Sequence, residues 1–214
     1  MLFGSIEYLN LLPFQVFLKK YLKNSPSYQS LVYKRDVPSK INIVFANRRV
    51  NAAFISSVKS KGCRCTNLGI IAKRDVKSVF VIEGIDKKDS ASASSNQLAK
   101  ILGLSGEVII GDRALKYYLN GGEGIDLARA WYDKHGLPFV FARLCYNKYG
   151  QEIKKLADKF IKSKIKIPQY ILKKEAKKRS ITVKELLWYL NYIYYDMDYS
   201  SKKSLKIFLR GVKR

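Results

Sequence analysis

Hydroxyl and amide side chains near the ends of apolar segments are the groups in this sequence that could do chemistry. The run from Ser90 to Ser95 leads directly into a predicted helix over 96–102. Backbone N–H groups at a helix start lack partners within the helix and lie at the positive end of its dipole, so serines there can bind an anion. An ordinary helix cap after a flexible linker explains the same residues, and composition alone slightly favours that interpretation.

Acids and imidazoles are few near these serines, and each has a structural explanation. Asp112 follows a predicted strand and precedes a predicted helix, where a capping role is the default. His135 is the one histidine, and it lies beside a predicted helix end at Gly136. We expect it to interact with the helix dipole rather than to catalyse, and a single histidine argues against a Ser-His-Asp system.

The three cysteines are Cys63, Cys65 and Cys145. Cys63 and Cys65 are too close together, and have too few partners, for a structural zinc site with four ligands. Three cysteines without an export signal also argue against a disulfide framework. We therefore expect no metal site and no disulfide framework.

Short strands and helices alternate through residue 145, and helical patterns follow, which predicts an α/β fold. The predicted strand over 52–55 ends at Ser56 and Ser57, and Ser78 opens the predicted strand over 78–82. Asn10 lies in a turn between the first strand and a helix that Pro13 starts. Further strands are predicted at 2–6, 30–33, 68–72, 107–110 and 138–145.

The segment from Glu152 onward reads as helical, with a break near Pro168. Residues 181–195 interleave leucines with tyrosines, and such tyrosines among basic residues could stack on nucleic-acid bases. The helical spacing is explained more simply by a packed amphipathic helix whose tyrosines lie at the edge of the core.

The charge of the chain is strongly basic, with a formal net charge of +24 over 214 residues. Such an excess attracts anions, whether nucleic acid, an acidic membrane surface or a small anionic substrate. The excess consists of 30 Lys and only 11 Arg. Because arginine is the residue of bidentate phosphate recognition, this ratio favours a solvated surface, and we expect no specific nucleic-acid partner.

Export and membrane insertion are not expected from the apolar pattern. No apolar run approaches the roughly 18 to 20 residues that a membrane-spanning helix needs. The N-terminal stretch has no basic residues ahead of its apolar part, and Glu7 interrupts it, unlike a signal peptide. We therefore expect a cytoplasmic protein.

Several motifs together resemble one enzyme family. The segments are Gly4-Ser-Ile-Glu-Tyr-Leu-Asn10-x-x-Pro13, Ala53-Phe-Ile-Ser56-Ser57, Ser90–Ser95 before Asn96-Gln-Leu-Ala, Val108-Ile-Ile-Gly-Asp112-x-Ala114-Leu115 and Asp126-Leu-x-x-x-Trp131-Tyr-x-x-x-Gly136-Leu-Pro-Phe-Val-Phe141-Ala142. They are similar to the chorismate dehydratase family of the futalosine route to menaquinone. The resemblance spans residues 1–146, and the last two motifs are its most specific part.

The fold that this resemblance implies is that of a type II periplasmic-binding protein, with two α/β lobes around a cleft. Lobe 1 would be discontinuous, over 1–82 and 138–214, and lobe 2 would span 83–137. This second lobe is shorter than is usual in the family and lacks a strand before the serine run. The basic C-terminus would add helices without a recognisable motif.

The reaction that the resemblance implies is loss of water from chorismate to give 3-[(1-carboxyvinyl)oxy]benzoate, without metal or organic cofactor. Asn10 and Ser78 would orient the reacting groups, and a carboxylate of the substrate would act as the base, because few titratable side chains accompany the motifs. Four serines and one aspartate would bind the substrate dianion. They are Ser56, Ser57, Ser94, Ser95 and Asp112.

Three other functions fit parts of the sequence. A 1,4-dihydroxy-6-naphthoate synthase-like enzyme would be related, although its N-terminal motif differs and its chain is longer. A solute-binding protein would share the fold but would normally be exported. A basic nucleic-acid-binding protein would fit the charge but not the motifs.

Overall fold

A computed structural model describes residues 1–23 and 32–212. The strands are β1 (Leu2–Ser5), β2 (Val32–Arg35), β3 (Ala52–Ser56), β4 (Cys65–Ala72), β5 (Val79–Ile82), β6 (Glu107–Ile110), β7 (Ile125–Asp126), β8 (Phe139–Tyr146) and β9 (Ile193–Asp196). The helices are α1 (Leu12–Lys23), α2 (Pro38–Ala46), α3 (Ala93–Leu102), α4 (Gly111–Leu119), α5 (Leu127–His135), α6 (Gly150–Lys162), α7 (Gln169–Arg179), α8 (Val183–Leu190) and α9 (Tyr199–Gly211). The prediction of an α/β fold is confirmed. Of the strand predicted over 30–33, the first two residues lie outside the described part of the chain.

The described strands form two separate sheets. The larger has the order β2-β1-β3-β8-β4-β9, and the smaller has the order β6-β5-β7. In the larger sheet β1 pairs in parallel with β2 and β3, whereas β8 runs antiparallel to β3 and β4. The chain leaves the larger sheet after β4 and returns to it in β8, so the smaller sheet is built by the segment between them.

The smaller sheet consists of three short strands. Its central strand is β5, which pairs antiparallel with both β6 and the two-residue β7. Phe80 of β5 is buried and stacks on Tyr118 of α4 at a centroid distance of 5.6 Å. A short sheet covered by helices is therefore sufficient to give this region its own apolar core.

The C-terminal segment contains a strand that the helical pattern did not predict. Residues 193–196 form β9 and pair with β4, with Ile193 opposite Ala72 and Tyr194 opposite Ile71. The prediction of one amphipathic helix over 181–195 is therefore wrong beyond residue 190. β-branched and aromatic residues pack well on a pleated sheet. The edge of β4 that would otherwise be unpaired supplies backbone hydrogen-bond partners for β9.

One disulfide joins Cys65 and Cys145, a pair that the sequence did not predict. They lie directly opposite each other on β4 and β8, at a sequence separation of 80 residues. Only the strand register brings them together, so spacing along the chain could not reveal the pair. Cys63 is a free thiol.

His135 lies at the end of α5, where the sequence predicted a helix end, and packs against an aromatic ring. It ends α5, and its ring lies 4.0 Å from that of Trp131 between centroids. Burial, with a smaller effect of Lys134, lowers the pKa of His135 below its usual value.

Candidate active site

A small cavity of about 60 Å³ lies between the two sheets and collects four of the predicted site residues. These are Asn10, Ser56, Ser78 and Ser95, and Tyr8 and Ser92 supply the other polar side chains. The apolar part of the wall comes from both sheets and the helix starts, and consists of Ile6, Leu11, Pro38, Ile70, Val76, Val79, Ile110, Gly111, Phe141 and Ala142. The lining thus combines a few hydroxyls and one amide with a mainly apolar surface, as ligand sites commonly do.

Asn10 lies in a short 3-10 helix over Leu9–Leu11, whose two leucines are buried and anchor the turn. The Tyr195 hydroxyl donates to the Asn10 backbone carbonyl at 2.7 Å. The side-chain Oδ1 of Asn10 is buried without a hydrogen-bond partner among the described residues. Since a buried amide oxygen without a partner is costly, it is a group that a ligand would satisfy.

Ser78 comes directly before β5 and is nearly inaccessible. Its hydroxyl lies 2.9 Å from that of Tyr189, and its carbonyl accepts the Gly111 N–H at 2.8 Å. The residue is therefore fixed both to the C-terminal region and to the start of α4. The sequence singled out Ser78 but contained no signal for its partner.

Ser92 and Ser95 form the cap of α3, which begins three residues earlier than the sequence predicted. The Ser92 hydroxyl accepts the Ser95 N–H at 3.1 Å and donates to the Ser95 hydroxyl at 2.8 Å. With its lone pair occupied by Ser92, the Ser95 hydroxyl can donate into the cavity. Ser92 was not predicted as a site residue, although its spacing of three from Ser95 is that of a helix cap.

Ser56, at the end of β3, is held by Asn42 of α2. The Asn42 amide donates to the Ser56 hydroxyl at 2.9 Å and accepts the Ser56 N–H at 3.1 Å. This leaves the Ser56 hydroxyl proton available to a ligand. Asn42 is buried on a helix of mainly apolar residues, and sequence reasoning missed it.

The structure does not bring Ser57, Ser94 or Asp112 into the cavity wall. The Ser57 hydroxyl donates to the Val140 carbonyl, and the Ser94 hydroxyl accepts the Val58 N–H. Both serines are buried and serve the backbone of neighbouring segments. We therefore omit them from the proposed set of substrate-binding side chains.

Asp112 is occupied by protein partners behind the cavity. Its carboxylate pairs with the Arg179 guanidinium at 2.6 Å and accepts the Leu9 N–H at 3.3 Å. Burial raises the pKa of Asp112, and the Arg179 cation opposes that rise. The residue joins the start of α4 to the turn that carries Asn10, so it acts on the site through its neighbours.

Tyr8 is the one titratable side chain among the described residues of the cavity wall. Burial, reinforced by the charges of Asp89 and Asp112, raises the pKa of Tyr8 to about 12. Its phenol therefore stays protonated at neutral pH. No carboxylate, imidazole or amine of the described chain lines the cavity, so the wall itself offers no ordinary base.

Three helices begin at the cavity wall. α2 starts at Pro38, α3 starts just after Ser92, and α4 starts at Gly111. Each helix start contributes a partial positive charge and backbone N–H groups. Together with the basic surface they favour an anionic ligand, although no cationic side chain of the described residues lines the cavity.

A larger groove of about 700 Å³ has Asn42, the hydrogen-bond partner of Ser56, in its lining. Arg48, Lys59 and Arg64 line it, with Asp89 as the carboxylate of the lining. The groove is open and basic, and the cavity is small and neutral. An anion approaching the cleft from this side meets a favourable potential first.

The described residues contain no group of three or more His, Cys, Asp or Glu side chains placed to hold a metal ion. Among the described helices, none is both long enough and apolar enough to cross a bilayer.

Sequence comparison relates the chain to known proteins over its whole length. The family described as menaquinone biosynthesis matches residues 96–214. A chorismate dehydratase from Campylobacter jejuni subsp. jejuni serotype O:23/36 (strain 81-176) is 44% identical over 218 residues, which covers 100% of this chain and 98% of that protein.

Solved structures share the fold at low sequence identity. Protein AF1704 from Archaeoglobus fulgidus superposes with a TM-score of 0.73 at 12% identity, covering 99% of this chain and 96% of that one. The aliphatic sulphonate binding protein SsuA from Escherichia coli gives 0.56 at 11% identity, with 100% and 90% covered. The Candida albicans CA3427 product, which has the generic periplasmic binding protein fold, gives 0.50 at 10% identity, with 100% and 90% covered. The prediction of a periplasmic-binding-protein fold is confirmed.

Proposed function

Because the chain belongs to the menaquinone biosynthesis family, and within it to the chorismate dehydratases, we propose that its cleft removes water from chorismate. The product would be 3-[(1-carboxyvinyl)oxy]benzoate. The observation that carries the site assignment is the cavity in which Asn10, Ser56, Ser78 and Ser95 meet between the two sheets. Hydroxyls, an amide and three helix starts suit a ligand with two carboxylates and a hydroxyl.

The substrate itself supplies the base in this proposal. A substrate carboxylate takes the proton from the ring carbon that bears the enolpyruvyl ether, and the neighbouring hydroxyl leaves. The C–H and C–O bonds break, a ring double bond forms, and the proton and the hydroxide depart as water. The base is assigned to the substrate because the cavity wall offers no titratable group except the protonated Tyr8. Asn10 and Ser78 orient the leaving hydroxyl and the substrate carboxylate.

Substrate access requires the cleft to open. A volume of about 60 Å³ holds one or two water molecules, whereas pockets for small molecules are typically about 300 Å³ or more. We propose that the two sheets move apart as lobes about the crossings near Lys77–Ser78 and Pro138. This differs from the boundary expected at residue 82, since β5 pairs within the smaller sheet.

The partner and the compartment follow from the same chemistry. Chorismate is the expected small-molecule partner, and no cofactor takes part in the proposed reaction. We place the reaction in the cytoplasm, because a dianion does not cross a lipid bilayer unaided and is used where it is made. The basic groove would raise its local concentration at the cleft.

The deciding experiment incubates the purified protein with chorismate and follows the enolpyruvyl benzoate product by chromatography. Turnover is expected with and without a chelator. A chelator-sensitive activity that zinc restores would contradict the cofactor-free reaction, and a lack of any product would contradict the proposed function.

The pH dependence tests the proposal that the substrate is the base. We expect kcat to be constant between about pH 6 and 9, because carboxylates are already ionised and the pKa of Tyr8 is about 12. Activity should fall only under acidic conditions that protonate the substrate carboxylates. A basic or acidic limb centred near neutrality, measured on a protein that stays folded, would indicate an enzyme base instead.

Separate substitutions distinguish the two serines at the start of α3. Ser95→Ala removes a hydroxyl that faces the cavity, so we expect substrate binding to weaken by about 1 to 3 kcal/mol. Ser94→Ala removes the partner of the Val58 N–H, so it should lower the melting temperature and leave KM nearly unchanged. Equal KM values for Ser95→Ala and the wild type would reduce Ser95 to a capping residue.

A further inference from the structure

Two tyrosines of the C-terminal region, the buried Tyr189 and the partly buried Tyr195, contact the two proposed catalytic residues. The Tyr189 hydroxyl lies 2.9 Å from the Ser78 hydroxyl, and the Tyr195 hydroxyl donates to the Asn10 carbonyl at 2.7 Å. Neither tyrosine lines the cavity. Their hydroxyls therefore act on the site only through the residues that do.

Either hydroxyl of the Tyr189–Ser78 pair could donate, and the surroundings of Tyr189 favour the tyrosine as the donor. Burial raises the pKa of Tyr189 well above its ordinary value, so the phenol keeps its proton. A phenol is a better donor than an aliphatic hydroxyl, and the described chain offers the Tyr189 hydroxyl no acceptor but Ser78. When Tyr189 donates to Ser78, the Ser78 proton is left free to point into the cavity.

The helix that carries Tyr189 is firmly placed. α8 starts with a reciprocal cap in which Thr182 accepts the Glu185 N–H at 3.1 Å and the Glu185 carboxylate accepts the Thr182 N–H at 2.6 Å. Trp188 stacks on Tyr118 of α4 at 6.0 Å between centroids. The phenol is therefore presented by a capped helix that packs against the same helix whose start forms part of the cavity wall.

We propose that Tyr189 is a positioning residue for the dehydration, which holds the Ser78 hydroxyl as a donor toward the departing hydroxyl or a substrate carboxylate. The proposal rests on the proposed function of the cleft. It assigns a role in the reaction to the C-terminal region, which contributes no residue to the cavity wall. Donors fixed before the reaction stabilise developing charge without a cost of reorientation.

The test is Tyr189→Phe, which keeps the ring and removes the hydroxyl. We expect kcat to fall about 10-fold with KM within about 2-fold, because the Ser78 hydroxyl can then turn away from the substrate. Tyr194→Phe is the matched control, since the Tyr194 hydroxyl also lies 2.9 Å from a serine hydroxyl, that of Ser201, away from the cavity. Its kcat should equal that of the wild type.

A double-substitution cycle shows whether Tyr189 acts through Ser78. In a Ser78→Ala background, Tyr189→Phe should cause no further loss of kcat. Wild-type kcat for Tyr189→Phe beside a slow Ser78→Ala, or an equal loss in both backgrounds, would overturn the inference and leave the proposed function intact. A wild-type protein that does not convert chorismate would instead overturn the proposed function.

Discussion

Asn10→Asp is expected to lower kcat by about 100-fold or more while the protein stays folded. The Asn10 side chain lies in the cavity wall with its oxygen buried and unpartnered among the described residues. A carboxylate there would repel a dianionic substrate in a site that water screens poorly, and it would remove an amide donor. Turnover of chorismate and the melting temperature, measured on the same preparation, check this expectation.

Two further variants separate charge from shape at this position. Asn10→Ala removes the amide without adding charge, so kcat should fall while substrate still binds through the remaining hydroxyls. Asn120→Asp makes the same chemical change at an exposed position at the end of α4, and it should leave turnover unaltered. A folded Asn10→Asp protein with nearly normal turnover would remove Asn10 from the proposed site.

Gly111→Ala is expected to destabilise the protein and to damage the cavity together. Gly111 has φ +64°, and an added Cβ would lie 2.9 Å from two ring carbons of Tyr8. The left-handed backbone and the displaced ring together should cost about 2 to 4 kcal/mol. Because Tyr8 lines the cavity, substrate affinity should fall as well, which denaturant unfolding and KM would show side by side.

Gly136→Ala provides a control with the same backbone conformation and no collision. Gly136 has φ +63°, and nothing lies within 4 Å of the position of an added Cβ. It should lose about 1 to 2 kcal/mol of stability from the left-handed conformation alone, with KM unchanged. Equal effects of the two substitutions on KM would mean that the approach of Gly111 to Tyr8 is not needed for substrate binding.

Much of the fold was predictable because it is encoded locally. Apolar runs bounded by turn residues located β3, β4 and β5, and alternation of strands with helices indicated the α/β class. The sequence did not predict β9, because residues 193–196 continue a helix-like pattern and become a strand only by pairing with the edge of β4. Local propensity is a weak guide where a tertiary partner is available.

The candidate site was predictable in part, for a similar reason. Asn10, Ser56, Ser78 and Ser95 lie at or close to the ends of regular elements, and such ends meet at the cleft of an α/β fold. Ser57 and Ser94 are sequence neighbours of Ser56 and Ser95, yet they point at backbone groups of other segments. One step along the chain reverses a side chain on a strand and rotates it by about 100° on a helix.

The sequence by itself determined the class of fold and the family. It also showed that few acids and imidazoles accompany the motifs, which is the reason for proposing that the substrate supplies the base. Only the tertiary structure decided which hydroxyls reach the cavity and which residues hold them, such as Asn42 behind Ser56 and Tyr189 behind Ser78. The physical reason is distance along the chain. Tyr189 and Ser78 are 111 residues apart, and no local pattern records a hydrogen bond that forms only when separate elements pack.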